Sequence, residues 1–443
     1  MKNIRIVYTI LFVGLTALWL LADNILSGPH AFFPVRASLV NFTGVLAMGA
    51  MSVGMVLALR PFHVEPFLGG MDKSYRLHKW LGVTALVVSI VHWAWAVVPK
   101  WLVGWGLLTK PQRGRGGGPD HSALVEMMQS QRGFAELVGE WAFYAAVVLI
   151  LIALIKLFPY RLFFNTHRLL ALVYLVLVYH SVILMKPDYW NSAIGLVMAA
   201  LMVAGSIAAV VSLMGGIGRN KKAIGYVDSL EYHRDNRVLE VIVQLRDRWE
   251  SHKAGQFAFV TFDNHEGAHP FTMSSSWNHL GTLRFHIKAL GDYTSKLPKL
   301  LKAGEVVTVE GPYGCFDFAS RQDRQIWVGG GIGITPFIAR LQALTVQKDG
   351  RDIDLFYSTA EPDQEFIKRL EQLAQEAGVR LHLIINGRDE RLTPDRLCER
   401  VPRWREASVW FCGPAGFGHA LREGLVARGF EVDDFHQELF DMR

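Results

Sequence analysis

Apolar and polar positions divide this chain into two regimes. Before residue 215 long apolar runs follow one another with short polar connections; beyond it the runs shorten and most of the charge appears. Six runs have the length of a membrane-crossing helix, about 20 residues. They are about Ile6 to Ile25, Leu39 to Leu59, Leu77 to Val98, Leu137 to Phe158, Thr166 to Met185 and Ser192 to Met214. Breakers or charges close them: Arg60-Pro61, Pro159, Lys186-Pro187 and the stretch GGIGRNKK. Between the third and fourth runs, Arg113 to Asp120 reads RGRGGGPD and predicts a loop. The first run follows Met1-Lys2-Asn3-Ile4-Arg5; a signal peptide would have a shorter apolar region and an A-x-A site, so a first membrane helix is the expectation.

From Ala223 the period changes. Short β-rich runs such as VLEVIVQL and GQFAFVTF, split by polar turns, predict a small antiparallel barrel. After Arg321 strands and helices alternate: QIWVGG then PFIARLQAL, DIDLFYS then DQEFIKRLEQLAQEAG, RLHLIIN then a short helix, SVWFCGP then FGHALREGLVARG. That alternation predicts a parallel sheet with helices on both faces. Near the end, EVDDF reads as the start of a last strand. The expected architecture is multidomain: an all-α six-helix transmembrane bundle over 1–218, an antiparallel β-barrel over 219–320, and an α/β parallel-sheet domain over 321–443.

Composition agrees with a chain that is half membrane-embedded: hydrophobic residues make up 51% of its 443 residues, with mean hydropathy +0.21. The net charge of +6 is spread thinly, without a block of like charges or an Arg–aromatic repeat, which argues against nucleic-acid binding. Cys315, Cys398 and Cys412 are scattered and form no CxxC, so neither a cysteine-held cluster or zinc site nor a disulfide framework is expected. Short-loop Lys and Arg set the orientation. Lys2, Arg5, Arg60, Lys73, Arg76, Lys156, Arg161, Arg219, Lys221 and Lys222 collect on one side; Arg36 and Lys186 fall on the other. Lys100, Lys110, Arg113, Arg115 and Arg132 blur the contrast. Six spans with both termini cytoplasmic, in a plasma or bacterial inner membrane, is the expectation.

The candidate chemistry begins with four histidines inside the spans. His78 and His92 share the third apolar run at a spacing of 14; His167 and His180 share the fifth at a spacing of 13. Each pair is separated by about 20 Å along its helix. An imidazole in lipid is costly without a partner. Two such helices side by side would offer one ligand pair near each face, His78 with His167 and His92 with His180, which suits two stacked bis-histidine haems. Histidines that only pack helices are the alternative. A step of 14 returns to about 40° from the starting face and a step of 13 to about 140°, so the second pair needs a bent helix or reaching side chains. Arg76, Lys79 and Arg168 stand beside the inner pair, as counter-charges for haem propionates or as ordinary inside charges. In the soluble half, Gly329-Gly330-Gly331-Ile332-Gly333-Ile334-Thr335-Pro336 joins a strand to a helix, where glycines let backbone N–H groups approach a pyrophosphate. A plain tight turn is the alternative. Cys412-Gly413-Pro414 ends a later strand on the same carboxyl edge.

The whole chain resembles the NADPH oxidase and ferric reductase family, a six-helix di-haem membrane domain fused to a ferredoxin-reductase-like FAD and NAD(P)H module. The carriers are the two histidine pairs, His269-Pro270-Phe271-Thr272-Met273-Ser274-Ser275, His286-Ile287-Lys288 with Gly291-Asp292-Tyr293-Thr294, Gly311-Pro312-Tyr313-Gly314, the glycine turn, Cys412-Gly413-Pro414 and the near-terminal Phe440. The resemblance implies that the stretch from His269 to Thr272, with Ser274 and Ser275, holds FAD, Thr272 near the flavin ring edge and His269 near the pyrophosphate. Lys288, in His286-Ile287-Lys288, and Thr294 would also bind the pyrophosphate, with Gly311 in the same site. Gly329, Gly331, Gly333, Thr335 and Pro336 would receive the nucleotide. Cys412, with Gly413 and Pro414, would sit beside the nicotinamide, and Phe440 would cover the isoalloxazine; Thr272, Cys412 and Phe440 are thus the residues at hydride transfer. The four histidines would ligate two haem b groups.

One departure stands out: relatives that prefer NADPH often carry an Arg soon after the second strand of the nucleotide domain, and Tyr357-Ser358-Thr359-Ala360-Glu361 has none. Arg388 is a substitute, and NADPH or NADH as donor stays open. No EF-hand is present, so calcium control within the chain is not expected. The implied activity is transmembrane electron transfer from cytoplasmic NAD(P)H through FAD and two haems to an acceptor across the bilayer, foremost oxygen with superoxide as product. A ferric chelate or a periplasmic partner is the alternative acceptor, and a haem-free, membrane-anchored flavin reductase is the alternative of another class. The sequence requires no protein partner.

Overall fold

The computed structural model describes residues 2–28, 31–61, 63–109, 123–155 and 158–438. It forms two compact units, one of Met1–Gly69 with Lys73–Ile217 and the other chiefly of Gly218 onward.

The first unit holds six long helices: α1 (Lys2–Ala22), α2 (Phe32–Ala58), α3 (Met71–Gly104), α4 (Ala123–Leu154), α5 (Tyr160–Leu184) and α6 (Ala193–Leu213). Each is long and apolar enough to cross a membrane, and the chain is a multi-pass membrane protein. Several run beyond the apolar stretches that predict them. α4 begins at Ala123 rather than Leu137 because EMMQSQRGFAEL is rich in helix-forming polar residues that hydropathy does not register. α3 continues past Val98 through Pro99, which lacks the N–H that would close on the Trp95 carbonyl. Arg36 repairs this, its Nε donating to the Trp95 carbonyl (2.9 Å) and its Nη2 to that of Ala96 (2.8 Å). Arg36, expected as a loop charge, is therefore an α2 residue holding α3. Arg168 likewise donates to the Ser212 (3.1 Å) and Leu213 (2.5 Å) carbonyls at the end of α6, a capping role that neither the propionate nor the inside-charge reading anticipates. Small buried residues (Ala47, Gly49, Ala50 and Gly54 in α2; Gly205, Ala208 and Ala209 in α6) let helix backbones approach closely. The predicted loop from Arg113 to Asp120 lies outside the described residues.

The second unit opens with six antiparallel strands: β1 (Lys222–His233), β2 (Val238–Leu245), β3 (Phe257–Thr261), β4 (His269–Thr272), β5 (Thr282–Lys288) and β6 (Val306–Tyr313). Their order is β4-β3-β6-β1-β2-β5, and an antiparallel bridge between Met273 and Phe285 joins the two outer strands into a barrel. Alternating inward residues fill it, among them Val241, Val243, Leu283, Phe285, Val307 and Val309. Helix α7 (Asp292–Leu300) follows β5.

The parallel sheet comprises β7 (Arg324–Gly330), β8 (Asp352–Thr359), β9 (Arg380–Ile385), β10 (Ala407–Cys412) and β11 (Phe435–Glu438), ordered β11-β10-β7-β8-β9. Its helices are α8 (Thr335–Val346), α9 (Gln364–Ala377), α10 (Pro394–Arg400) and α11 (Ala415–Val426). One face packs Trp327, Phe337 and Trp410, the other Phe356, Phe411 and Leu421, so the central strands are buried on both sides. The last strand starts at Phe435, because Val432–Asp434 of EVDDF forms a helical turn. The order reverses between β7 and β10, which makes their carboxyl ends the switch point where sheets of this kind take ligands.

Candidate cofactor sites

The histidine pairs meet as expected. The His78 and His167 ring centroids lie 5.8 Å apart, and those of His92 and His180 6.3 Å apart, with ring planes crossed at 68° and 78°. A metal–imidazole bond of about 2 Å, plus about 1 Å from nitrogen to ring centre, would place two rings on opposite sides of one iron roughly 6 Å apart. Three of the four rings are fixed by backbone carbonyls of a neighbouring helix. Nδ1 of His78 donates to Gly54 (2.9 Å), that of His92 to Val40 (3.0 Å) and that of His180 to Ala135 (2.9 Å). A carbonyl can only accept, so the proton sits on Nδ1 and the Nε2 lone pair is kept for a metal. The fourth ring, His167, stacks on Phe163 (5.0 Å between centroids), and among the described residues its buried Nδ1 has no hydrogen-bond partner. Steric room is built in at Gly139 of α4, where a Cβ would lie 1.9 Å from Nδ1 of His180. Hydropathy gave no hint of this glycine; only the approach of α5 reveals it. These residues fit two bis-histidine haems.

The stretch expected to hold FAD is β4 itself. The His269 ring stacks on Tyr293 (4.6 Å, 20°), a residue of α7 that the motif reading quoted without a role. Burial lowers the His269 imidazole to a pKa of about 4 and pushes the Tyr293 hydroxyl up, so both rings stay neutral at physiological pH. Nε2 of His286 faces Glu240 at 3.3 Å. A hydrogen bond from His286, opposed by burial and aided by Arg284, holds the Glu240 carboxyl down at about 2. Among the described residues, Ser274 Oγ, His286 Nδ1 and Tyr293 Oη are buried polar atoms without a hydrogen bond. Buried polar groups are normally satisfied, and three orphans on the quoted motifs fit a polar ligand such as FAD.

Other expected members lie differently. Ile287 is 2% exposed and points into the barrel core, so its side chain cannot reach a cofactor. Ser275 Oγ accepts from the Arg284 N–H (3.2 Å). Thr294 Oγ1 accepts from the N–H groups of Leu290 and Gly291 (3.1 Å each) and so fixes the start of α7. Lys288 is ion-paired with Glu361 at 2.8 Å. Pro270, Phe271 and the buried Thr272 pair with β3, and Gly311 of β6 lies against Ala258. Phe440 lies outside the described residues.

At the switch point the two glycine turns interlock. A Cβ on Gly333 would fall 2.2 Å from the Cys412 carbonyl oxygen, and one on Gly330 2.8 Å from Pro414 Cδ, so Gly333 and Gly413-Pro414 touch only because side chains are missing. Gly331 has φ +56° and open space beyond it, while Gly329, Thr335 and Pro336 are buried. The Cys412 thiol is 1% exposed; burial, with Glu438 adding to it, raises it well above the ordinary thiol range, so it is an un-ionised packing group and not a nucleophile. A small cavity of about 20 Å³ runs from Gly331 and Thr335 to Thr359 and Glu361, with His286 and Lys288 of the barrel opposite. Arg388, the substitute clamp, pairs with its neighbour Asp389 (3.1 Å) and does not line this cavity.

Comparison with known proteins adds an independent line. The family model described as "Ferric reductase like transmembrane component" matches residues 43–178, and that described as "FAD-binding domain" matches residues 226–316. This is the architecture of the NADPH oxidase and ferric reductase family. The family's general chemistry is oxidation and reduction. Similar curated proteins include a flavohemoprotein of Candida norvegensis, 30% identical over 163 residues (35% of this chain, 40% of that protein). Another is NADH-cytochrome b5 reductase 1 of Emericella nidulans, 29% identical over 178 residues (36% and 57%). This ferric-reductase-like chain thus spans 40% and 57% of the length of these two relatives. Among solved structures, flavohemoglobin from Malassezia yamatoensis with bound FAD and heme is similar at 16% identity and TM-score 0.47, covering 91% of this chain and 98% of that one.

Proposed function

We propose that this chain is a transmembrane flavocytochrome that takes reducing equivalents from NAD(P)H and delivers them to an acceptor across the membrane. The observation that carries the reading is the pair of facing imidazole sets, 5.8 and 6.3 Å apart, in a bundle fused to a flavin- and nucleotide-type module. The labour divides over residues 1–218 for haem, 219–320 for FAD and 321–443 for the nucleotide. When bound, FAD would convert a two-electron donor to single-electron steps and two b-type haems would conduct those electrons through the bilayer.

The chain's own residues bind, orient and exclude water. His78 with His167 and His92 with His180 would hold the haems by Nε2, each ring but one oriented by a carbonyl. The His269–Tyr293 stack gives a neutral wall for a flavin, and the unsatisfied Ser274 hydroxyl supplies a polar contact inside it. The turn from Gly329 to Thr335 gives backbone N–H groups to a pyrophosphate at the α8 N-terminus. Cys412, packed at the end of β10 against Gly333, would help to keep water from the transfer point. The charge distribution in short loops supports cytoplasmic termini, with NAD(P)H used on that side. Oxygen is the proposed acceptor, with superoxide as product. A haem-free flavin reductase would need only packing histidines, and packing alone does not call for two facing ring pairs in which three rings are turned by carbonyls so that Nε2 is left for a metal. Purified protein should show a Soret band with two haems per FAD, and NAD(P)H-driven cytochrome c reduction sensitive to superoxide dismutase. Absence of the Soret band after haem-sufficient expression refutes the flavocytochrome; dismutase-insensitive reduction moves the acceptor to a ferric chelate or a periplasmic protein.

A further inference from the structure

Glu361 stands just beyond the carboxyl end of β8, which closes at Thr359. It shares one cavity with Gly331 and Thr335. In doubly wound sheets the pyrophosphate occupies the glycine turn of the first strand, and the adenosine ribose lies over the end of the second. An acidic side chain there accepts hydrogen bonds from a ribose diol, whereas an arginine holds a 2′-phosphate. The cations near Glu361 are already committed: Arg237 Nη2 lies 2.6 Å and Lys288 Nζ 2.8 Å from its two carboxylate oxygens. These two contacts hold the carboxyl below its ordinary range and keep it charged. Among the described residues the cavity is lined by Lys288 and by the imidazoles of His233 and His286, and by no arginine.

We infer that Glu361 is the residue that selects the donor, and that the donor is NADH. This rests on the reading of the parallel sheet as the NAD(P)H site. The cavity, about 20 Å³, is too small for a dinucleotide, and the Arg237–Glu361–Lys288 bridge borders it. An arriving pyrophosphate draws Lys288 away. The freed carboxylate oxygen then receives the 2′-hydroxyl of NADH, while Arg237 keeps the other oxygen in place. NADPH brings a 2′-phosphate to the same point, where it meets a fixed negative charge.

The test is anaerobic rapid mixing of the full-length, FAD-loaded protein in detergent with NADH and with NADPH, following flavin bleaching. The wild type should favour NADH by about 10²-fold in the apparent second-order rate constant. Glu361→Gln, which keeps size but removes charge, should cut that ratio at least about tenfold, and Glu361→Arg should turn it toward NADPH. As a measurement free of variants, adenosine 5′-monophosphate should inhibit the wild type better than adenosine 2′,5′-bisphosphate. Preference for NADPH, or a ratio unmoved in Glu361→Gln, overturns the assignment and makes Arg237 and Lys288 the phosphate ligands. Bleaching by neither nucleotide overturns the donor site itself along with it.

Discussion

Replacement of Gly139 by alanine separates a haem site from helix packing. Ala is the better helix former by about 1 kcal/mol, so the backbone of α4 should gain from the change. The cost is local. The new Cβ would lie 1.9 Å from Nδ1 of His180 and 2.6 Å from its Cε1, against an ordinary contact of at least 3.4 Å. The ring would have to retreat by well over an ångström, and its hydrogen bond to the Ala135 carbonyl (2.9 Å) would break. Metal–ligand distances tolerate only about 0.2 Å, and loss of an orienting partner alone lowers metal affinity about 10- to 100-fold. Gly139→Ala should therefore lose the haem of the His92–His180 pair and keep that of His78–His167. Pyridine haemochrome measurement against FAD should fall from two haems per flavin to one, with one midpoint potential left in a redox titration. Gly133→Ala in the same helix is the control, since its Cβ meets nothing within 4 Å and both haems should remain. A Gly139→Ala protein with two haems and unchanged potentials would show that His180 does not bind iron where the geometry puts it.

Three further outcomes are expected. His92→Leu or His180→Leu should remove the same haem and stop reduction of the external acceptor, while NAD(P)H still bleaches the flavin; two retained haems and full activity in both would sink the ligand assignment. Ser274→Ala removes a buried hydroxyl that lacks a hydrogen bond, so the flavin-free protein should gain about 1 kcal/mol in thermal unfolding while FAD dissociates more readily; a change of the same sign in both would return Ser274 to packing. Asp354, 1% exposed, offsets the cost of its burial through His382 (2.9 Å) and Arg380 (2.7 and 2.9 Å), which hold its carboxyl down at about 2. The ionised form is favoured by folding, so its stabilisation, about 2 kcal/mol, is complete above the unfolded value near 3.8 and is lost as pH falls toward 2. Asp354→Asn should be less stable by about that amount at pH 7 and show a flatter acid limb in unfolding between pH 4 and 2; an unchanged acid limb would contradict it.

What the sequence by itself determined is the part of this protein that depends on local pattern. Hydropathy counts residues along one helix, so all six spans were legible, although their polar extensions, such as the start of α4 at Ala123, were not. Strand periodicity and the alternation after Arg321 are equally local, and they carry the barrel and the parallel sheet. The histidine pairs and the two glycine turns were visible because residue type and spacing can be read directly along the chain. Tertiary structure decided whatever needs two distant segments to meet. The angular mismatch between His167 and His180 could not be resolved from α5 alone, and only the placement of α3 and α5 in the folded bundle makes His167 face His78 and His180 face His92. Arg36 looked like a loop charge and Arg168 like a charge at the inner face, and only the fold shows the carbonyls beside Pro99 and at the end of α6 to which they donate. Lys288 looked like a phosphate ligand and Glu361 only like a missing arginine, yet these two side chains, on different domains of the sequence, lie 2.8 Å apart. Charge and steric exclusion act over a few ångströms in space, whatever the separation along the chain, and that is why Gly139 and Glu361 acquire their meaning only in the folded protein.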